Sequence, residues 1–173
     1  MRDDRQKWAP SQSDSPATVE TDLVRISGVS SDRLTLISGP VQQALAKCGM
    51  QIAAGWPDPV SSDSYALRLR RDRILVVNGP ALEDGWDADN GVAISDMTGA
   101  YGVVEVSGPD ALTLLQKGTE IDPEERSGSV ARGFHGYPVL LYSVRSGEPK
   151  YRLHVPRAFL DGLFTLLAEA VKE

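Results

Sequence analysis

The stretch VEVSGPDALTLLQKG, from Val104 to Gly118, decides how this chain folds. An apolar run is followed by Ser-Gly-Pro, and then by apolar residues at the i, i+3 and i+4 spacing of a helix. An earlier stretch, LISGPVQQALAKCG from Leu36 to Gly49, contains the same tripeptide. A phosphate-binding loop would need Gly-Lys-Ser/Thr after its glycines, or three glycines within six residues. Both patterns are absent, so the repeat predicts a strand-to-helix connection.

Each residue of this connection has a local structural role. Proline is favoured at the first helical position, because its φ is preset and its missing N–H would have no partner there. Gly108 permits the sharp change of direction, and Ser107 lies near the helix cap. A glycine follows nine residues after the proline in both copies. These two glycines, Gly49 and Gly118, are predicted to end their helices in the left-handed conformation.

The segments around the two copies are also alike. In the first, Val41, Ala44, Leu45 and Cys48 predict a buried helix face, residues 67–70 a half-exposed strand and residues 74–77 a strand that is apolar on both faces. In the second, residues 139–144 and 151–155 predict a hairpin. Pro156 then opens a helix with a wide apolar stripe, which consists of Phe159, Leu160, Leu163, Phe164, Leu167 and Ala170.

Each half therefore follows a β-α-β-β order, and the second half ends in a further helix. PALEDG at residues 80–85 resembles PRAFLDG at residues 156–162. The pattern predicts one α+β domain at 21–173, with halves at about 21–91 and 92–173. The predicted halves are duplicated, ferredoxin-like β-α-β-β(-α) units with helices on one face of a mainly antiparallel sheet. A chance similarity between two common strand–turn–helix segments is the alternative to duplication.

Composition excludes several functional classes. The chain has 173 residues, 41% of them hydrophobic, which is sufficient for a core. Its net charge is −6 and its basic residues are scattered, which argues against nucleic acid as a partner. No apolar run approaches the roughly 20 residues of a membrane span. The N-terminus lacks the apolar stretch of a secretory signal, and Cys48 is the single cysteine. Together these features predict a cytoplasmic location.

Residues 1–20 are polar, rich in Ser, Asp and Pro, and have no periodicity, so they are predicted to be a disordered tail. Trp8 is the anomaly within this tail, because a large apolar ring gains nothing in solvent. Trp8 is either an incidental exposed residue or a hook that docks on this domain or on a partner protein.

The sequence contains no recognised catalytic or metal-binding pattern. His135 and His154 are the only histidines, and His154 alternates with apolar residues, so it is predicted to face away from the core. With Cys48, they do not form a zinc-ligand spacing. The acidic loop at residues 83–91 resembles a calcium loop, but Val92 stands where the sixth position needs Gly. We therefore predict no catalytic, cofactor-binding or metal-binding residue.

Two features predict contact with a partner protein. The segment from Thr119 to Tyr137 is long for a loop of a compact domain. Arg157 is predicted to lie in the first turn of the final helix, where the dipole disfavours a cation. A solvated loop and a tolerated surface arginine are the alternatives. With Trp8, the candidate contact residues are Arg126, Arg132, Phe134, His135 and Arg157.

From Val92 to Val171 the sequence resembles a known family. VAISDMTGAYGVVEVSGPDALTLLQKGTEID resembles a segment in which Asp-x-Ser/Thr precedes a strand, a Gly-Pro-Asp-Ala helix start and a Lys-Gly helix end. PVLLYSV and YRLHVPRAFLDGLFTLLAEA resemble a closing hairpin and a Val-Pro-Arg-x-Phe helix. The family is the gamma subunit of heterotetrameric sarcosine oxidase, which is related to the folate-binding domain of aminomethyltransferases. Thr119 departs from the family, where a cysteine follows Lys-Gly, and Pro123 stands where Leu follows Ile-Asp.

The resemblance implies an accessory subunit without an active site. In the family, FAD, FMN and NAD lie on the alpha and beta subunits, and tetrahydrofolate is also expected on a partner. The implied partners are these alpha and beta subunits, with a delta subunit where one exists. The complex would oxidise sarcosine to glycine, and it would release the methyl carbon as formaldehyde or transfer it to tetrahydrofolate. The alternatives are a free-standing folate-binding, aminomethyltransferase-like protein and a subunit of a related N-methyl-amino-acid dehydrogenase.

Overall fold

The fold is described by a computed structural model that covers residues 18–31 and 33–172. Most of the predicted tail, including Trp8, lies outside the described residues. A 3₁₀ turn at Arg157–Phe159 precedes the last helix. The strands and α-helices are β1 Thr18–Glu20, β2 Arg25–Val29, β3 Leu34–Ser38, α1 Val41–Lys47, β4 Ala53–Ala54, β5 Tyr65–Arg70, β6 Arg73–Val77, β7 Gly85–Asp87, β8 Val92–Asp96, β9 Tyr101–Ser107, α2 Ala111–Gln116, β10 Ala131–Phe134, β11 Tyr137–Ser143, β12 Lys150–Pro156 and α3 Leu160–Ala170.

The strands form two sheets, where the sequence predicted one. The β9 sheet has the order β1-β2-β9-β12-β11-β10, and the β3 sheet has the order β7-β8-β3-β6-β5-β4. Neighbouring strands are antiparallel except for the parallel pair β4–β5. The predicted α+β class and mainly antiparallel pairing are therefore confirmed. None of the helices in the described ranges is long and apolar enough to cross a bilayer.

Each predicted half contributes a strand to the sheet of the other half. β2 comes from the first half, but it pairs with β9. β8 begins the second half, but it pairs with β3. The two sheets consequently have the same strand order, with β1, β2, β9 and β12 in the places that β7, β8, β3 and β6 take in the other sheet. Neither half forms its six-stranded sheet alone.

Both Ser-Gly-Pro copies connect a strand to a helix, as predicted. Gly39 and Gly108 have φ of 139° and 111°, where a side chain is strained. A Cβ at Gly39 would lie 2.6 Å from the carbonyl oxygen of Gly91, just before β8, and one at Gly108 would meet the carbonyl oxygen of Leu23, just before β2. Glycine is therefore needed at both positions, because the backbone that leads into β8 packs against Gly39 and the backbone that leads into β2 packs against Gly108.

The two helix-ending glycines differ. Gly49 has the predicted positive φ of 67°. The prediction for Gly118 is wrong, because the described glycines of positive φ do not include it. Its Cβ would instead lie 2.5–2.6 Å from the rings of Phe134 and His135. Gly118 therefore serves the close packing of α2 against the β10–β11 hairpin.

Three apolar clusters account for the buried faces. α2 and α3 cover the outer face of the β9 sheet, α1 covers that of the β3 sheet, and the third cluster fills the space between the sheets. The predicted face of α1 is buried, as are Leu163 and Leu167 of α3. In β6, Ile74 and Val76 face α1, whereas Leu75 and Val77 face the other sheet. This explains why the strand is apolar on both faces.

Candidate functional site

The segment from Thr119 to Tyr137 is not one long loop. It contains β10, which forms a two-residue hairpin with β11. The remaining residues, 119–130, lie against a segment from the first half. Trp56 is only 3% exposed. Its indole N–H donates to the carbonyl oxygen of Asp122 at 2.7 Å, and its own carbonyl accepts from the N–H of Ser127 at 2.8 Å. The loop is thus anchored by its own chain.

Trp56 also reaches the core of the other half. Its ring stacks on that of Tyr151 in β12, with centroids 6.0 Å apart. The residue belongs to the apolar cluster of the β9 sheet, α2 and α3, although it comes from the first half of the sequence. One side chain therefore joins the first half to the 119–130 loop and to the opposite core.

Two of the candidate contact residues lie on the surface near this loop. Arg126 donates to the carboxylate of Asp58 at 3.0 Å, and both side chains are more than half exposed. Solvent screens such a pair, so it contributes little to stability. Arg132 lies on the edge strand β10, where its guanidinium donates to the carbonyl of Ala131 at 2.8 Å. Both arginines are accessible to a partner.

The two ring candidates, Phe134 and His135, have opposite environments. Phe134 is 1% exposed and packs within the core, so its predicted contact with a partner is corrected. Alternation along β10 turns it inward towards α2. His135 is exposed in the hairpin turn with a φ of 46°, and its ring lies edge-on to Phe134 at 5.0 Å. Only His135 is accessible on this surface.

Arg157 lies before α3, in the 3₁₀ turn, and not in the first turn of the α-helix. Its backbone N–H donates to the carbonyl of Ala100 at 2.9 Å, and its side chain is exposed. Phe159 was predicted to belong to the buried stripe, but it is 43% exposed. Its ring lies 5.7 Å from that of Tyr137. We call Arg157, Phe159 and Tyr137 the Phe159 surface.

His154 was predicted to face away from the core, and this is wrong. It is 1% exposed, because the other sheet covers the inner face of β12 at this point. Its Nε2 lies 2.9 Å from the hydroxyl of Tyr142, which lies 2.7 Å from the hydroxyl of Tyr65. Arg152 donates to the Tyr65 hydroxyl at 3.4 Å and to the carboxylate of Glu105 at 2.9 Å. A polar network therefore crosses the space between the sheets.

Arg152 can only donate, so the Tyr65 hydroxyl accepts from it. The Tyr65 and Tyr142 hydroxyls share one hydrogen bond, and Tyr142 shares another with Nε2 of His154. Nδ1 of His154 has no hydrogen-bond partner among the described residues. Burial, followed by the charge of Arg152, lowers the pKa of His154 to about 3. His154 is thus neutral near pH 7, and it is closed to any substrate.

Burial and Tyr65 together raise the pKa of Tyr142 well above its usual value. The network consists of neutral hydroxyls and a neutral ring, joined to an Arg152–Glu105 ion pair at its edge. Such an arrangement holds two sheets in register and offers no nucleophile. Sequence reasoning missed Tyr65 and Tyr142, although both lie within apolar strands, where a buried tyrosine hydroxyl needs a partner.

A shallow groove lies beside the anchored loop. It is lined by Gln116, Thr119, Glu120, Ile121, Asp122 and Glu125. Its carboxylates give it an acidic character, yet no group of His, Cys, Asp and Glu in the described ranges is arranged to hold a metal ion. The calcium-like loop at 83–91 has a different use for its acidic residues. Asp87 binds Lys47 at 2.6 Å and Asn90 at 2.9 Å, and these hydrogen bonds lower its pKa to about 2.

No protein-family model and no curated protein matches the sequence. Among solved structures, the chain is similar to one described as heterotetrameric sarcosine oxidase from Corynebacterium sp. U-96 in complex with pyrrole 2-carboxylate. The TM-score is 0.68 at 19% identity, over 90% of this chain and 87% of that chain. At this identity the likeness establishes the architecture. The chain therefore has the fold of a chain found in a heterotetrameric sarcosine oxidase.

Proposed function

We propose that this chain is a non-catalytic, gamma-type subunit of a heterotetrameric, flavin-dependent sarcosine oxidase. The structural match carries the proposal, because it extends over nearly all of both chains. The two coverage values are almost equal, so the matched chain has nearly the length of this one. The likeness is thus to most of a small chain and not to a segment of a large subunit. The complex would convert sarcosine to glycine, and it would release the methyl carbon as formaldehyde or transfer it to tetrahydrofolate.

In this proposal the chain supplies binding surface and rigidity. FAD, FMN, NAD and tetrahydrofolate would lie on the alpha and beta subunits, with a delta subunit where one exists. The polar network supports this division, because His154 and Tyr142 are buried between the sheets and cannot meet a substrate. The cytoplasm is the expected location. We also propose that the chain arose by duplication of a ferredoxin-like β-α-β-β unit, which accounts for the equal strand orders.

The Phe159 surface is the proposed contact with the flavoprotein subunits. Aromatic residues and arginine are the side chains that most often dominate interfaces. Phe159 exposes 43% of its surface beside the exposed Arg157. Tyr137 packs against the Phe159 ring, and its hydroxyl occupies the space where a Cβ of Gly162 would lie. The adjoining hairpin carries Arg132 and His135, which extend this basic and aromatic surface.

Coexpression with flavoprotein subunits of the heterotetrameric sarcosine oxidase type tests the proposal. We expect a flavin-containing complex that includes this chain. The double variant Arg157→Ala/Phe159→Ala should weaken assembly at least about tenfold, as expected for two interface residues worth about 1 kcal/mol or more each. Turnover per assembled complex should stay near that of the unaltered protein. Arg145→Ala is the matched control, since Arg145 is exposed in the hairpin at the other end of β11.

If the chain is stable alone and does not bind those subunits, the proposal is contradicted. Intact assembly with lost turnover would place Arg157 and Phe159 at a ligand site. That second outcome would favour a folate-binding role for this chain. Analytical size exclusion, flavin absorbance and sarcosine turnover together separate these results.

A further inference from the structure

Trp86 is an exposed tryptophan at the edge of the β3 sheet. It is the central residue of β7, and 68% of its surface is exposed. Its cross-strand partner on β8 is Ala93, and the next residue on the same face of β8 is Ser95. These side chains are too small to cover an indole ring. Within the described residues β7 pairs only with β8, so its other side is open.

The surroundings of Trp86 are acidic. No lysine or arginine occurs in the sequence between Arg73 and Lys117. Three exposed carboxylates lie within three residues of Trp86 in the sequence: Glu83, Asp84 and Asp89. Asp84 accepts the backbone N–H of Asp96 at 2.8 Å, which holds the segment before β7 against the end of β8. Asp87, the carboxylate next to Trp86, is paired with Lys47 at 2.6 Å, and the charge of Lys47 also acts on Asp89.

This combination defines the chemistry of a ligand. An exposed indole face attracts a guanidinium, most strongly when the contact excludes water. Neighbouring carboxylates can hold the same guanidinium through paired N–H donors. Their negative charge repels nucleic acid, which would need a basic surface. A protein segment that carries arginine satisfies both the ring and the carboxylates.

We propose that Trp86, with Glu83, Asp84 and Asp89, binds an arginine-bearing basic segment of a flavoprotein partner subunit. This inference rests on the proposed function and adds a second contact of opposite charge. The Phe159 surface is formed by β11 of the β9 sheet and by the 3₁₀ turn before α3, and Arg157 gives it a positive charge. The Trp86 surface belongs to the β3 sheet, and it is acidic. The chain thereby holds two differently charged regions of its partners.

The test measures binding to the flavoprotein subunits purified without this chain, by calorimetry at low and high salt. Trp86→Ala should weaken binding at least about tenfold. Glu83→Lys/Asp89→Lys should weaken it similarly and remove much of its salt dependence, because the attraction is electrostatic. Asp84 is left unaltered, since it holds the backbone of Asp96. The control is Ile52→Ala, because Ile52 is 79% exposed beside β4 at the opposite edge of the same sheet, and it should change binding less than about twofold.

Normal binding by Trp86→Ala and by the charge-reversed variant would overturn this inference and leave the proposed function intact. If the unaltered chain does not bind the flavoprotein subunits, the proposed function fails. In that case a hepta-arginine peptide is the probe. Peptide binding that Trp86→Ala abolishes and Ile52→Ala preserves would support the basic ligand class. Absence of peptide binding, or binding that Trp86→Ala leaves unchanged, would overturn it.

Discussion

The two sheets share a strand order but differ in the segment that comes after their fourth strand. After β12, Pro156 leads through the 3₁₀ turn into α3, whose Leu163 and Leu167 seal the β9 sheet. After β6, residues 80–84 form neither helix nor strand and lead into β7. The β9 sheet is thus followed by a helix of eleven residues. After β6 the sequence instead contains Gly85 and, after Trp86, the turn-forming run Asp-Ala-Asp-Asn-Gly at residues 87–91. A repeated scaffold can therefore carry a helix and the Phe159 surface in one place, and an edge strand with Trp86 in the other.

Replacing Trp56 should have the largest effect, because this side chain connects the two halves. Trp56→Ala should lower the free energy of unfolding by about 3–5 kcal/mol, the usual cost of truncating a buried tryptophan. The loss should be large because the ring fills the opposite core and anchors the 119–130 loop. Urea melts followed by circular dichroism would measure it. Trp86→Ala is the control and should change stability by less than about 0.5 kcal/mol. A loss below about 1 kcal/mol for Trp56→Ala would show that the halves are stabilised separately.

The two Ser-Gly-Pro connections allow a direct comparison. Gly39→Ala and Gly108→Ala should each cost about 2–3 kcal/mol, because both impose a positive φ on alanine and force its Cβ into a carbonyl oxygen. The same melts check this, with Gly147→Ala as control, since nothing lies within 4 Å of a Cβ there. Equal losses would show that the connections are equivalent. Tolerance of only one substitution would show that one exchanged strand enters its sheet differently.

The polar network lies mainly on the β9 sheet, and it should make the stability of the protein depend on pH. Folding lowers the pKa of His154 from 6.5 to about 3, so the unfolded chain binds this proton first. The free energy of unfolding is therefore unaffected by His154 above about pH 6.5. It falls as the pH is lowered, by about 1.5 kcal/mol between about pH 6.5 and about pH 5, because protonation of His154 then favours the unfolded chain. Melts at these two pH values should show the loss in the unaltered protein and in His135→Ala. His154→Gln should lack it, and a persistent loss in that variant would assign the effect to other groups.

Local features of the fold could be predicted from the sequence. The apolar spacing of Val41, Ala44 and Leu45 located α1, and the double-sided apolar run at 74–77 located β6. Both depend on neighbours along the chain, which the sequence displays. Gly39 and Gly108 likewise indicated their turns, because few residues other than glycine adopt such φ values.

The pairing of distant strands could not be predicted in this way. No local pattern states that β2 joins β9 or that β8 joins β3, since hydrogen bonds between strands are made by backbone atoms common to nearly every residue. Alternation also fails where both faces of a strand are covered. His154 looked like a solvent-facing residue because it stands between Leu153 and Val155, yet the second sheet covers it. Phe134 was predicted to lie in a loop, because the sequence pattern did not indicate that residues 131–134 form the strand β10.

The exchange of β2 and β8 constrains the order in which a ribosome can supply this fold. Val29 pairs with Val103, and Ile37 pairs with Ile94, so each early strand has a neighbour that is translated much later. Until β8 and β9 leave the exit tunnel, the nascent chain presents open strand edges with Ile26 and Ile37 uncovered. Such non-local pairing makes folding slow and leaves the incomplete chain prone to association. A pause in translation before β8 and β9 have left the exit tunnel would prolong that exposed state, whereas a pause after both have left it would give both exchanged pairs time to form.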